Sequence, residues 1–284
     1  MMEISSSQLP GRYRLARQLG KRLNVRGSER ILRLLAPQTT APPVEGCVTS
    51  WDGTVVQVDS RSYLEWLVLL RGGYEIWLQK LMQELTAPGD VVVDVGANVG
   101  LHTCSLARHV GSKGRVLAIE ALDELADRLQ QNVALNGLEN VSVVRVAASD
   151  RVGSATIFLP AGAGSNRGMA SLHADRGDDG RSIATDTIDR LAADFRPVRL
   201  IKIDVEGHEF AVLRGCQQIL VQDRPHVLFE FSSESYRSAG VSFGEVAELL
   251  SDAGYSLEDG HRRTPLRMGS EPSTQTMVLA TPKR

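Results

Sequence analysis

Two short stretches hold the residue types from which chemistry can be built. The first is Asp94-Val95-Gly96-Ala97-Asn98-Val99-Gly100, with Glu120 further along the chain. The second is Asp204-Val205-Glu206-Gly207-His208-Glu209. An acid, a glycine-punctuated turn and a second acid about twenty residues on form the layout of a nucleoside-binding βαβ unit, in which the later acid accepts the ribose hydroxyls. The other stretch gathers three carboxylates and an imidazole around one turn, a set suited to taking a proton from a hydroxyl.

The first stretch also narrows the nucleoside. A dinucleotide fingerprint needs Gly-x-Gly-x-x-Gly so that a pyrophosphate can rest on a bare helix N-terminus. Here Asn98 stands in place of the second glycine and Leu101 in place of the third. Asp94 would repel a phosphate and attract a cation. S-adenosylmethionine (SAM) carries an ammonium and a sulfonium and no phosphate, so it is the expected cofactor. The expected cofactor-binding residues are Asp94, Gly96, Asn98, Gly100, Glu120, Ala147, Ala148 and Asp204. His208 is the expected general base, with Asp204 and Glu206 as carboxylate alternatives. Three acids here lack a decisive metal-ligand spacing, so no metal is expected. A dinucleotide-dependent oxidoreductase or epimerase and a non-catalytic SAM-binding protein are the competing readings. The first would need a phosphate-compatible turn and a catalytic pair such as Tyr-x-x-x-Lys, which is not found.

These residues need particular elements to position them. Val91 to Val95 is an apolar run ending beside an acid and reads as a buried strand. Leu101 to Val110 reads as a helix, with Cys104, Leu106, Ala107 and Val110 on its buried side. Arg115 to Glu120 is a second strand ending in an acid. Leu125, Leu129 and Val133 recur at helical spacing up to Gly137. Val141 to Ala148 reads as a third strand whose small terminal residues let a flat ring approach. Val198 to Asp204 is another strand, followed by one helix carrying Phe210, Leu213, Cys216 and Leu220. Parallel strands end at one rim, which would bring Asp94, Glu120 and Asp204 together. Ser154 to Leu159 and Val227 to Phe231 are further strands, Ser242 to Glu245 is a capping box, and Tyr255 to Leu257 with Thr276 to Ala280 can form a terminal strand pair. Ala161 to Arg181 is rich in Gly, Ser, Asn and Asp and reads as a long loop.

Upstream, Cys47 to Val58 suggests a hairpin turning at Asp52-Gly53, and Tyr74 to Leu85 a helix. The first 36 residues are basic, with Arg12, Arg14, Arg17, Lys21, Arg22, Arg26, Arg30 and Arg33 against Glu3 and Glu29. This arm reads either as a loosely packed solvated extension, as an amphipathic segment touching an acidic membrane surface or partner, or as a transit-peptide-like leader. The expected division is an arm over 1–40, a cap over 41–90 and a cofactor-binding domain over 91–284. A net charge of −2 points away from nucleic acid. Three cysteines without metal or disulfide spacing fit a reducing cytoplasm. No apolar run or signal-peptide segment suggests a membrane span or export.

Four stretches together resemble the FkbM family of SAM-dependent methyltransferases: Gly73-Tyr74-Glu75, Asp94 to Gly100, Thr185-Asp186-Thr187-Ile188-Asp189, and Ile201 to Glu209 followed by Leu213-Arg214-Gly215. Ile188 stands where that family often has Leu. The resemblance covers roughly residues 70 to 232. It implies an α/β fold of the Rossmann-like class I methyltransferase type: a seven-stranded, mostly parallel sheet with helices on both faces and the last strand antiparallel. It also implies O-methylation of hydroxyls on sugars, glycolipids or polyketide-like natural products, hence a small-molecule or glycan- or lipid-linked acceptor.

Overall fold

The computed structural model describes residues 4, 9–22, 27–39, 41–159, 179–266, 269, 271–272 and 275–283. The predicted loop from Ala161 lies outside the described residues except at its last three positions.

The chain opens with α1 (Gly11–Gly20), α2 (Ser28–Leu35), the hairpin β1 (Glu45–Thr49) and β2 (Val55–Asp59), and α3 (Tyr63–Arg71). Tyr13, Ala16 and Leu32 are buried with Trp66 to Leu70 and with Val48, Val56 and Val58 in one apolar cluster. The Tyr13 hydroxyl donates to Pro37 O at 2.8 Å, and Trp66 Nε1 donates to Ala36 O at 2.7 Å. The described part of the arm is therefore docked rather than loose. Tyr13, Ala16 and Leu32 enter a core, while Leu15, Ile31 and Leu34 stay exposed beside the basic side chains.

Next come α4 (Ile76–Leu85), β3 (Val91–Val95), α5 (Leu101–Val110), β4 (Arg115–Ile119), α6 (Asp123–Leu135), β5 (Val141–Val144), β6 (Ala147–Ala148), β7 (Gly153–Leu159) and β8 (Asp179–Asp186). Then follow α7 (Ile188–Leu191), β9 (Leu200–Ile203), α8 (Glu209–Arg214), α9 (Gln217–Gln222), β10 (His226–Ser232), α10 (Ser233–Ala239), α11 (Phe243–Asp252), β11 (Tyr255–Asp259), β12 (Thr264–Pro265) and β13 (Gln275–Pro282). The central sheet runs β12-β11-β13-β10-β9-β3-β4-β5. The five strands from β10 to β5 are mutually parallel, and β13, β11 and β12 are antiparallel at one edge.

The sheet has eight strands rather than seven. The added one is β12, a two-residue edge that folds back on β11 after the turn at Gly260. The strand read over 141–148 divides in two: β5 completes the central sheet, while Ala147 and Ala148 pair with β8 in a separate sheet of order β6-β8-β7. The single helix read after Gly207 breaks into α8 and α9. Gly215 lies at the break, where a Cβ would sit 2.0 Å from Ser149 O.

Strand alternation sorts the helices into two layers. Val92, Val116, Leu200, Leu228 and Leu279 are buried with α4 and α5. Val93, Leu117, Ile201, Val227 and Val278 are buried with α8, α9 and α11 on the other face. The capping box of Ser242 and Glu245 starts α11 as read. Among the described residues no helix is long and apolar enough to cross a membrane.

One ionic clamp joins the N-terminal layer to α6. Arg128 donates to Glu65 through two nitrogens, at 2.8 and 3.0 Å, and Glu65 is 1 % exposed. Burial pushes the Glu65 carboxyl up, opposed by Arg128. Arg128→Ala strands a buried carboxylate. It should cost about 3 kcal/mol, the lower end of the range for a broken buried pair, because the guanidinium is itself 28 % exposed. Urea denaturation checks this, and a loss below about 1 kcal/mol would mean that the clamp does not hold the layer.

Candidate functional site

A cavity of about 340 Å³ opens at the C-terminal ends of β3, β4 and β9, within the size range of small-ligand sites. Ser62 to Glu65 and Tyr74 roof it. Ala147, Ala148 and Ile157 wall one side. Val95, Gly96, Ala97, Asn98, Ile119 and Glu120 form the floor, and Lys202, Asp204, Glu206 and His208 close the far end. Glu120 and Asp204 follow strands that flank β3 on either side in register, so the expected shared rim exists.

Glu120 builds the floor. Its Oε2 accepts Asn98 N–H at 2.8 Å and its Oε1 accepts Leu122 N–H at 3.0 Å. Each oxygen keeps a lone pair beyond those bonds. Burial pushes this carboxyl up, and the Leu122 and Asn98 amides pull it back down. Asn98 sits at φ 53°, a left-handed conformation that asparagine tolerates better than most residues.

Asp94 and Gly100 are placed differently from the reading above: neither lines the cavity. Asp94 is fully buried beneath the turn. Its Oδ2 accepts the Thr103 hydroxyl at 2.6 Å, and its Oδ1 lies 3.5 Å from Lys202 Nζ. Its negative charge is thus spent inside the protein. Gly100 caps α5 at φ 85°, and a Cβ there would meet Leu129 Cδ1 at 2.3 Å, so it serves helix packing. Gly96 does line the cavity, but its lack of a side chain answers to the protein first: at φ 72° a Cβ would lie 1.9 Å from Asp204 O.

Lys202 is a cavity-lining residue that sequence reading passed over. It is 2 % exposed, reaches Asp94 and Asp204 at 3.5 Å each, and donates to Gly96 O at 3.3 Å. Burial opposes its charge, but Asp204 and Asp94 outweigh burial and hold the ammonium protonated. The signal was present, since a lysine between two isoleucines of a core strand must have buried acidic partners. Tyr74 and His102, both lining the cavity, were also missed. His102 Nε2 lies 3.4 Å from Glu75 Oε2, and Glu75 sits at φ 44° at the head of α4.

The second stretch splits into two groups. Asp204, Glu206 and His208 line the cavity, while Glu209 turns away and is 1 % exposed. Glu209 Oε1 accepts Val205 N–H at 3.0 Å and Gly207 N–H at 3.2 Å, which fixes the turn. Glu206 takes φ 52°, a strained conformation for a residue of its size. Among the described residues five non-glycines have positive φ, and Glu75, Asn98 and Glu206 of these gather at this site. His208 Nε2 lies 3.0 Å from Ser149 Oγ. Behind Asp204, burial and the Asp204 charge push Glu230 up to about 8.

This geometry fits SAM. Glu120 offers acceptors for two ribose hydroxyls, Ala147, Ala148, Leu122 and Ile157 offer a flat apolar slot, and Asp204 and Glu206 offer negative charge at the end where a sulfonium and an ammonium would lie.

The chain is similar to several known methyltransferases. The family profile "Methyltransferase FkbM domain" matches residues 94–257. Hexuronic acid methyltransferase AglP of Haloferax volcanii is 30 % identical over 201 residues, 66 % of this chain and 72 % of that protein. A protein-L-isoaspartate O-methyltransferase of Ignicoccus hospitalis is 39 % identical over 56 residues, 20 % of this chain and 26 % of that protein. Among solved structures, Methyltransferase FkbM from Methylobacillus flagellatus KT is 19 % identical with a TM-score of 0.43, covering 67 % of this chain and 43 % of that one.

Burial raises the Glu209 carboxyl to about 7 against the Val205 and Gly207 amides. An acid raised on folding favours the folded state below its unfolded value of about 4.3, and that advantage is lost as pH climbs through the folded value. Glu209→Gln keeps an acceptor for the turn and removes the titration. The melting temperature of the wild type should therefore fall relative to the variant between about pH 4.5 and 7, then run parallel above. Parallel curves across the whole range would show that Glu209 ionises freely.

Proposed function

This chain belongs to the FkbM methyltransferase family, and we propose that it moves a methyl group from SAM to a hydroxyl on a sugar, a glycolipid or a polyketide-like natural product. The SAM-dependent methyl transfer follows from the family, which also ends the dinucleotide reading. The acceptor class is supported by the sugar-acid methyltransferase among its relatives. The observation that carries the reading is the pairing of Glu120 at one end of the cavity with Asp204, Glu206 and His208 at the other.

The bound cofactor supplies an already activated methyl group. The chain's residues then have three tasks. Glu120, held by Asn98 and Leu122, accepts the ribose hydroxyls. Asp204, anchored through Lys202, and Glu206 face the positive end. His208 takes the acceptor's hydroxyl proton as the methyl is transferred, and holding the two reactants in line contributes several kcal/mol. The roof of residues 62–65 with Tyr74 excludes water and, with the cap of residues 41–90, selects the acceptor. The basic face of the arm over 1–40 is a candidate contact for an anionic surface carrying a lipid-linked acceptor. Free and buried Cys47, Cys104 and Cys216 support a reducing cytoplasm as the site of action.

Glu120→Ala removes charge-assisted bonds worth about 1.5–3 kcal/mol. SAM affinity should drop on the order of tenfold to a hundredfold in a calorimetric titration, and unchanged affinity would take Glu120 out of the ribose site. His208→Ala should lower the methyl-transfer rate by about a hundredfold to ten-thousandfold with SAM binding nearly intact. A variant retaining more than about a third of the rate at pH 7 would pass the role to Asp204 or Glu206.

A further inference from the structure

One family stretch, Thr185 to Asp189, and the tail of another, Leu213-Arg214-Gly215, do not themselves line the cavity. Both converge instead on one spot behind His208. Thr185 and Asp186 pair with Ala147 and Ala148, and Asp186 O accepts Ser149 N–H at 2.8 Å. Asp189 N–H donates to Gly215 O at 3.0 Å, which ties the first stretch to the second. Gly215 has no side chain where the carbonyl of Ser149 passes. Arg214 then reaches Asp150 at 3.4 Å. Two distant stretches are spent on holding Ser149 and Asp150 in place.

What they hold is a hydrogen-bonded chain that ends on the imidazole. Ser149 Oγ is 3.0 Å from His208 Nε2, and the Ser149 hydroxyl donates to Asp150 Oδ1 at 3.4 Å. A hydroxyl has one proton. If Asp150 receives it, Ser149 faces His208 with a lone pair, and Nε2 must carry the hydrogen. The basic lone pair is then on Nδ1.

We propose that Ser149 and Asp150 are positioning residues that hold His208 as the Nε2–H tautomer and stabilise the imidazolium formed when Nδ1 takes the acceptor's proton. This rests on His208 being the base. In the step, the acceptor O–H proton passes to Nδ1 and the O–C bond forms. The S–C bond breaks with its electron pair left on sulfur, and the imidazolium later returns the proton to water. The logic is that of an acid orienting a catalytic histidine, here passed through a serine hydroxyl. Arg214 meets the other oxygen of Asp150, Oδ2, at 3.4 Å.

The test combines ¹⁵N shifts of the histidine ring nitrogens with the pH dependence of kcat/KM. One of the six histidines is assigned as His208 by its loss in His208→Gln. The wild-type protein should show His208 protonated on Nε2 when neutral. Ser149→Ala should give a mixture of tautomers, lower kcat on the order of tenfold, leave the SAM dissociation constant within about twofold, and move the acidic limb of the profile to lower pH. Ser149→Thr, which restores the hydroxyl, should recover the limb and most of the rate. Near-wild-type activity in His208→Ala would remove the base and the relay with it. An inactive His208→Ala together with an unmoved limb and unmoved ring shifts in a folded Ser149→Ala would overturn the relay and leave the base reading standing.

Discussion

The site depends on one buried ammonium. Lys202 lies inside the sheet between Asp94 and Asp204 and also reaches Gly96 O. It thereby joins the two strand ends from which the floor and the far wall start. Breaking a buried ionic group by removing one member is costly because the others remain charged and unsolvated. The cross-strand register that sets Asp94 opposite Lys202 is consequently locked, since a one-residue slip of β9 would turn Lys202 to the face away from Asp94. The glycine turn inherits that register. Gly96 passes close enough to Asp204 O that no side chain fits, so the turn and the acid that follows β9 form one object.

This arrangement explains why some of the site was legible in the amino-acid sequence and some was not. The place of Glu120 in the cavity was legible because it ends an apolar strand next to β3, and its backbone partners Asn98 and Leu122 are local. The two-layer alternation around Val92 and Val93 was legible for the same reason. Asp94 had the same local appearance, yet its partner is on β9, and nothing near it in sequence shows that its charge is neutralised from there. The glycines were recognised as necessary, but the obstacles are Asp204 O and Leu129 rather than a cofactor. Ala147 and Ala148, read as small residues at a strand end, line the cavity. Their membership of a second sheet was hidden because the break before them carries no Gly or Pro.

The serine behind His208 shows a further limit. A motif search weighs side chains that can react, and so stops at His208. Thr185 to Asp189 and Arg214-Gly215 act through backbone amides, a missing Cβ and a second-tier ion pair. They meet the cavity through the wall residues Ala147 and Ala148 and through Ser149, which lies against His208.

The β1–β2 hairpin has an edge that is closed without another strand. The outward N–H groups of β2 at Val55, Gln57 and Asp59 are each met by a side chain: Asn136 at 2.8 Å, Asn132 at 2.9 Å and Glu65 at 2.6 Å. Asn136 also donates to Val55 O at 2.7 Å. Three side chains at a strand's repeat thus imitate a neighbouring backbone. An edge strand left bare is a template for intermolecular pairing and fibril growth. Here the template is already filled, so the hairpin can stay short and two-stranded without recruiting a second molecule along that edge.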